Sequence, residues 1–147
     1  ASTERVLFLK DTSCNIEDMR AKVEAVKGTD LKIFNANAAT LLETLKLGVS
    51  GYSGVMANFH PELYVWLSRQ WSRETQKAEQ LQDFLGVASL IERQLYPING
   101  KYYLQLEGLN MTLNSRVKDA SQFTPAERFE VKQLRRMTER YRDEYME

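Results

Sequence analysis

Through the first half of the chain the apolar positions arrive in short runs separated by segments of helical period; beyond that, only helical period remains. The unbroken run Val6, Leu7, Phe8 and Leu9 has the length and composition of a strand covered on both faces, so residues 5 to 10 are predicted as the first strand. NIEDMRAKVEAVKG follows as a helix. Asn15 can accept from its free amides, Asp18 sits three residues on, Met19, Val23 and Val26 form an apolar stripe, and Gly28 suits its stop. Leu31 to Phe34 is a second strand-like run, and Ala39 to Lys46 a second helix ending at Gly48. The third run, Gly51 to Met56, is Gly-rich and small enough for backbone to pass close to a ligand; Pro61 then opens the helix PELYVWLSRQW at its tolerated first turn. Three β–α units in succession predict a parallel sheet with right-handed crossovers.

After Trp71 the segment SRETQKAEQLQDFLGVASLIERQLY keeps helical period throughout and is expected as one long helix. Gly100 to Leu109 is expected as a shorter helix, although Tyr102 and Tyr103 would suit a strand. In TPAE, Thr124, Pro125 and Glu127 supply an N-cap, a first-turn proline and the reciprocal capping partner of a last helix. Its end, RRMTERYRDEYME, mixes both signs at i to i+4 spacing, the pattern of a solvated face.

Composition narrows the chemistry. With 43% hydrophobic and 27% charged residues, the 147-residue chain has globular composition, and 20 basic residues balance 20 acidic ones. That balance gives no reason to expect nucleic acid or an anionic membrane as partner. No apolar run approaches the length of a membrane span, and the start ASTERV lacks a signal peptide's basic and apolar regions, so a cytoplasmic chain is expected. Cys14 and His60 are the only residues of their kinds, which excludes an internal disulfide, a CxxC zinc site and a multi-histidine metal cluster. Tyr52, Tyr64, Tyr102 and Tyr103 are expected in packing, His60 in a loop before Pro61, and Cys14 as a small filler.

Lys10 is the residue that asks for a reason, because lysine is almost never buried alone and this one closes an apolar run. It can snorkel to solvent as the strand ends. Alternatively, an amine set against apolar surroundings at the carboxyl end of a parallel strand has its charged form disfavoured, and the free amine can attack a ketone to form a Schiff base.

The stretch FLKDTSCNIEDM, followed by KIFNANAATLLETLKLGVSGYSGVMANFHPEL, resembles the sixth, seventh and eighth strands of the dihydrodipicolinate synthase and N-acetylneuraminate lyase family. The resemblance covers roughly Arg5 to Leu109 and implies a partial (β/α)8 barrel on residues 1–71, with a helical extension on 72–147. Members are α/β barrels of about twice this length that condense pyruvate, or split off pyruvate, through a Schiff base. By the same resemblance Lys10 is the Schiff-base lysine, Thr12 faces bound substrate, Ser53 lines the pyruvate pocket, and Ala36 and Asn37 fall at substrate-binding positions. It implies pyruvate or another 2-oxo acid plus an aldehyde as substrates, a homo-oligomer, and neither a metal nor a dissociable cofactor. The sequence departs from the family at Ala36, where a glycine is usual, and at Ala38 and Ala39, where sialic acid lyases hold the sugar with acids. The family's proton-relay tyrosine and its carboxylate-binding hydroxyls belong to earlier strands, so an amino-terminal half is expected elsewhere. A catalytically idle half-barrel that serves assembly is the competing expectation.

Overall fold

The computed structural model describes residues 5–146, in which three parallel strands precede a layered set of helices. The sheet order is β1 (Phe8–Asp11), β2 (Lys32–Asn35), β3 (Gly51–Tyr52). α1 (Ile16–Ala25) and α2 (Leu41–Leu47) are the crossovers between them, and α3 (Pro61–Gln70) follows β3. The carboxyl-terminal helices are α4 (Thr75–Ala88), α5 (Ile98–Leu106) and α6 (Pro125–Tyr145).

Local chemistry accounts for most boundaries. Asn15 Oδ1 accepts from the Glu17 and Asp18 amides at 2.9 and 3.3 Å, fixing the start of α1. Gly48 ends α2 with φ +107, a conformation that costs a side chain but not glycine. Thr124 and Glu127 form the reciprocal capping box of α6.

Several expectations are corrected. β1 takes in Asp11 and leaves Val6 and Leu7 outside, and the apolar run is uncovered rather than covered on both faces: Val6, Leu7 and Phe8 are each at least 50% exposed. β3 is two residues long, because the chain turns at Gly54 into a 3₁₀ turn, Val55–Asn58. The long helix after Trp71 stops at Ala88 and tightens into a 3₁₀ turn, Ser89–Arg93. There the Ser89 hydroxyl donates to the Gly86 carbonyl at 2.7 Å, competing with the helical ladder. Helical periodicity persists through this break in the sequence, so pattern alone did not reveal it.

One apolar cluster joins the sheet side to the helical extension. Leu41, Met56, Leu63, Leu67, Leu81, Leu85, Ile98 and Val131 are fully buried within it. Burying each such side chain contributes about 1.5–3 kcal/mol, which makes this cluster the principal stabilising element. A smaller cluster of Met19, Ile33 and Val49 fastens α1 to the sheet.

The end of α6 is less solvated than its charge pattern suggests. Arg142 pairs with Glu62 of α3 and, at 2.6 Å, with Glu107; Arg135 also reaches Glu107 at 2.7 Å. Burial would favour a neutral Arg142, but the two carboxylates outweigh it and hold the guanidinium charged.

Candidate functional site at the carboxyl ends of the strands

Side chains alternate across a strand, and this alternation sorts the sheet into a covered and a bare face. Ile33, Asp11 and Asn35 point to the helices and are buried. Phe8 and Phe34 lie on the other face, their rings stacked at 4.5 Å. Lys10 is two residues from Phe8 and registers against Phe34, so it shares the bare face, and it is exposed. Within these residues nothing dries the amine.

The strand ends run side by side past the last paired residues. The Ala36 amide donates to the Asp11 carbonyl at 2.9 Å, and the Ser53 amide to the Asn35 carbonyl at 2.8 Å. One further alternation carries Thr12, Ala36 and Ser53 to the side of Lys10, at the end of the sheet where α/β proteins build their sites. Thr12 is exposed; Ala36, Asn37 and Ser53 are half-buried. Asn37 is not free to reach outward, since its Oδ1 accepts from the Ala39 amide at 2.9 Å and caps the following turn. Ala38 is buried and Ala39 exposed.

Beneath that rim lie two buried polar groups that the motif did not single out. Asp11 Oδ1 accepts from the Ser13 amide at 2.9 Å and the Ser13 hydroxyl at 2.6 Å, while Oδ2 pairs with Lys22 of α1. The Asp-x-Ser spacing was the available signal, an Asx-type turn that closes on itself; Lys22, eleven residues away, gave none. Asn35 donates to the Thr40 and Thr44 hydroxyls at 3.0 and 2.9 Å and accepts from the Asn37 amide at 2.7 Å. Both residues fix the loops that follow β1 and β2.

Burial alone would raise the Asp11 carboxyl, but the Lys22 ammonium and the Ser13 donors more than offset it and hold it below its ordinary value of 3.8. A depressed folded-state pKa stabilises the protein above the unfolded value, and that contribution disappears as pH falls through the folded one. Thermal melting of the wild type and Asp11→Asn should therefore differ most above about pH 5 and converge in more acidic buffer. A stability gap that does not change with pH would rule out the ion pair as its source.

The remaining ionisable groups behave as packing. His60 is fully buried, its Nδ1 3.2 Å from the Thr138 hydroxyl, and burial followed by the Arg142 charge lowers it to about 3. It is neutral under ordinary conditions. Tyr52 stacks on Tyr64 at 4.0 Å, and burial pushes Tyr52 up to about 12 and Tyr64 higher still, so both stay protonated. Tyr103 is buried and Tyr102 meets Phe123 edge-on. Cys14 is not a filler: it is exposed at φ +55, a backbone region usually left to glycine, asparagine or aspartate. Among the described residues no cluster of His, Cys, Asp and Glu could hold a metal ion, and no helix is long and apolar enough to cross a membrane.

A parallel sheet flanked by crossover helices, with a lysine and hydroxyl residues at its carboxyl edge, has the organisation of a segment of an α/β barrel. The chain belongs to the dihydrodipicolinate synthetase family, which it matches over residues 1–136. In fold it is similar to the 4-hydroxy-tetrahydrodipicolinate synthase of Methylacidiphilum fumariolicum SolV, with TM-score 0.79 and 22% identity, covering 96% of this chain and 47% of that one. It is similar also to YagE of E. coli K12, solved in complex with pyruvate, with TM-score 0.78, 20% identity and coverage of 91% and 46%. A dihydrodipicolinate synthase described as putative, from Thermus thermophilus, aligns with TM-score 0.73 and 20% identity, over 90% of this chain and 47% of that one. The chain thus spans about half the length of the structures it matches. No curated protein matches it.

Proposed function

We propose that the chain is the carboxyl-terminal portion of a pyruvate-dependent Schiff-base aldolase, carrying barrel strands six to eight on residues 1–71 and a helical extension on 72–147. Lys10 Nζ, as free amine, attacks C2 of pyruvate or another 2-oxo acid, and loss of water leaves an iminium. Loss of a proton from C3 gives an enamine, which adds to the carbonyl carbon of an aldehyde; water then cleaves the iminium and returns the amine. Thr12 and Ser53 orient the substrate through their hydroxyls, and Ala36 and Asn37 line the substrate pocket. The strands that complete the barrel come from a further stretch of polypeptide. They supply the apolar wall that dries the amine and the acid–base groups that this half lacks. In the cytoplasm the completed barrel associates with further copies of itself, as the family resemblance implies.

The observation that carries this reading is the position of Lys10. It sits on the bare face beside Phe8 and Phe34, at the end of the sheet where Thr12, Ala36 and Ser53 emerge from adjacent strands. The test is to incubate the completed barrel with pyruvate, reduce with borohydride, digest and weigh. A reduced pyruvate adduct on Lys10 is expected. An unmodified lysine in a folded protein selects the second reading, an idle half-barrel kept for assembly, which the absence of polar side chains at Ala36, Ala38 and Ala39 favours.

A further inference from the structure

The second helix is capped by a residue from the fourth. α2 opens after Thr40, whose side chain makes no cap hydrogen bond and whose hydroxyl accepts from Asn35. The first amides of a helix have no partner within it, and the Leu42 amide finds one in Gln82 Oε1 at 2.8 Å. The same carboxamide donates through Nε2 to the Ala38 and Ala39 carbonyls at 2.9 and 3.2 Å. One half-buried side chain thus satisfies a donor and two acceptors of the turn between β2 and α2. α4 runs close against this turn: a methyl added at Gly86, one helical turn beyond Gln82, would lie 3.6 Å from the Ala39 Cα. On its other side the turn is held by Asn35. Ala36 and Asn37 lie between these two anchors.

We infer that Gln82 is a positioning residue for the substrate mouth, through which the helical extension sets where Ala36 and Asn37 stand relative to Lys10. The inference rests on the Schiff-base reading of Lys10. The three hydrogen bonds bridge forty to forty-four positions of sequence, so a shift of α4 moves the turn with it. Misplacement of a positioning element by about 1 Å can cost up to about 100-fold in rate.

Two variants of the completed barrel test this, with pyruvate as probe. Gln82→Met keeps the length and removes all three hydrogen bonds. Gln82→Glu keeps the acceptor for the Leu42 amide, but its carboxylate offers the two carbonyls no proton until it is protonated. Exchange of the pyruvate methyl protons with deuterated solvent, followed by NMR, gives kcat and KM. For Gln82→Met a fall of about 10- to 100-fold in kcat/KM is expected while Lys10 still takes the borohydride-trapped adduct. For Gln82→Glu the rate relative to wild type should rise as pH falls through the new carboxyl's pKa, restoring the donor. If Gln82→Met does not fold, this pH ratio decides. Wild-type constants in Gln82→Met, or a pH-independent ratio in Gln82→Glu, overturn the positioning role alone. Absence of any adduct on wild-type Lys10 overturns the Schiff-base reading and this role with it.

Discussion

Lys10→Arg in the completed barrel is expected to abolish pyruvate chemistry while leaving the fold intact. Arginine keeps the positive charge and most of the length, but its guanidinium does not lose its proton in proteins and so offers no nucleophilic nitrogen. Removing the nucleophile of a covalent mechanism costs on the order of 10⁴- to 10⁶-fold in kcat. Because Lys10 is exposed on the bare face, the substitution removes no buried contact of this half, and the stability of this polypeptide by itself should move by no more than about 0.5 kcal/mol. Turnover of pyruvate with an aldehyde, measured beside a melting curve, checks both halves of the expectation. An arginine variant that retains activity within about tenfold of wild type would remove covalent catalysis from consideration.

Gly54→Ala is expected to produce the largest loss of stability. Gly54 has an extended backbone, so conformational strain is not the reason. A methyl at this position would overlap the Tyr52 hydroxyl and the Ala36 carbonyl. Neither can retreat easily: the Tyr52 ring is stacked on buried Tyr64, and the Ala36 amide is tied to Asp11. Overpacking of this kind costs about 3 kcal/mol, equivalent to a fall of roughly 6–12 °C in Tm for a chain of this size. Tyr52→Phe removes a buried hydroxyl that has no hydrogen-bond partner among the described residues and should be close to neutral by itself. Combined with Gly54→Ala it should recover part of the loss, the clash with the Ala36 carbonyl remaining. Equal melting temperatures for the single and double variants would show that Tyr52 is not the obstacle.

The legible parts of the fold are those governed by neighbouring residues. Asn15, Gly48, Pro61 and the Thr124–Glu127 pair mark helix ends because their effect is exerted within a turn of where they stand. The parallel order of the three strands followed from the β–α alternation, and the family from the lysine motif joined to the Gly-rich block. What escaped was set at longer range. β3 is short because the chain bends at Gly54 under Tyr52 and Ala36, and no pattern within Gly51 to Met56 encodes that encounter. The Asp11–Lys22 pair, the Arg142 bridge to Glu62 and the Gln82 anchor each join residues from different elements. The apolar run ahead of Lys10 suggested a doubly covered strand because such runs usually are, yet the element that would cover its second face is not among the described residues.

That uncovered run has a colloidal consequence. Among the described residues β1 pairs only with β2, so its outer edge presents unmatched amides and carbonyls beside Val6, Leu7 and Phe8. The chain carries formal net charge +0 near neutrality, where no electrostatic repulsion keeps copies apart. Produced by itself, this polypeptide would associate edge to edge most readily near neutral pH, and covering that edge would raise its solubility.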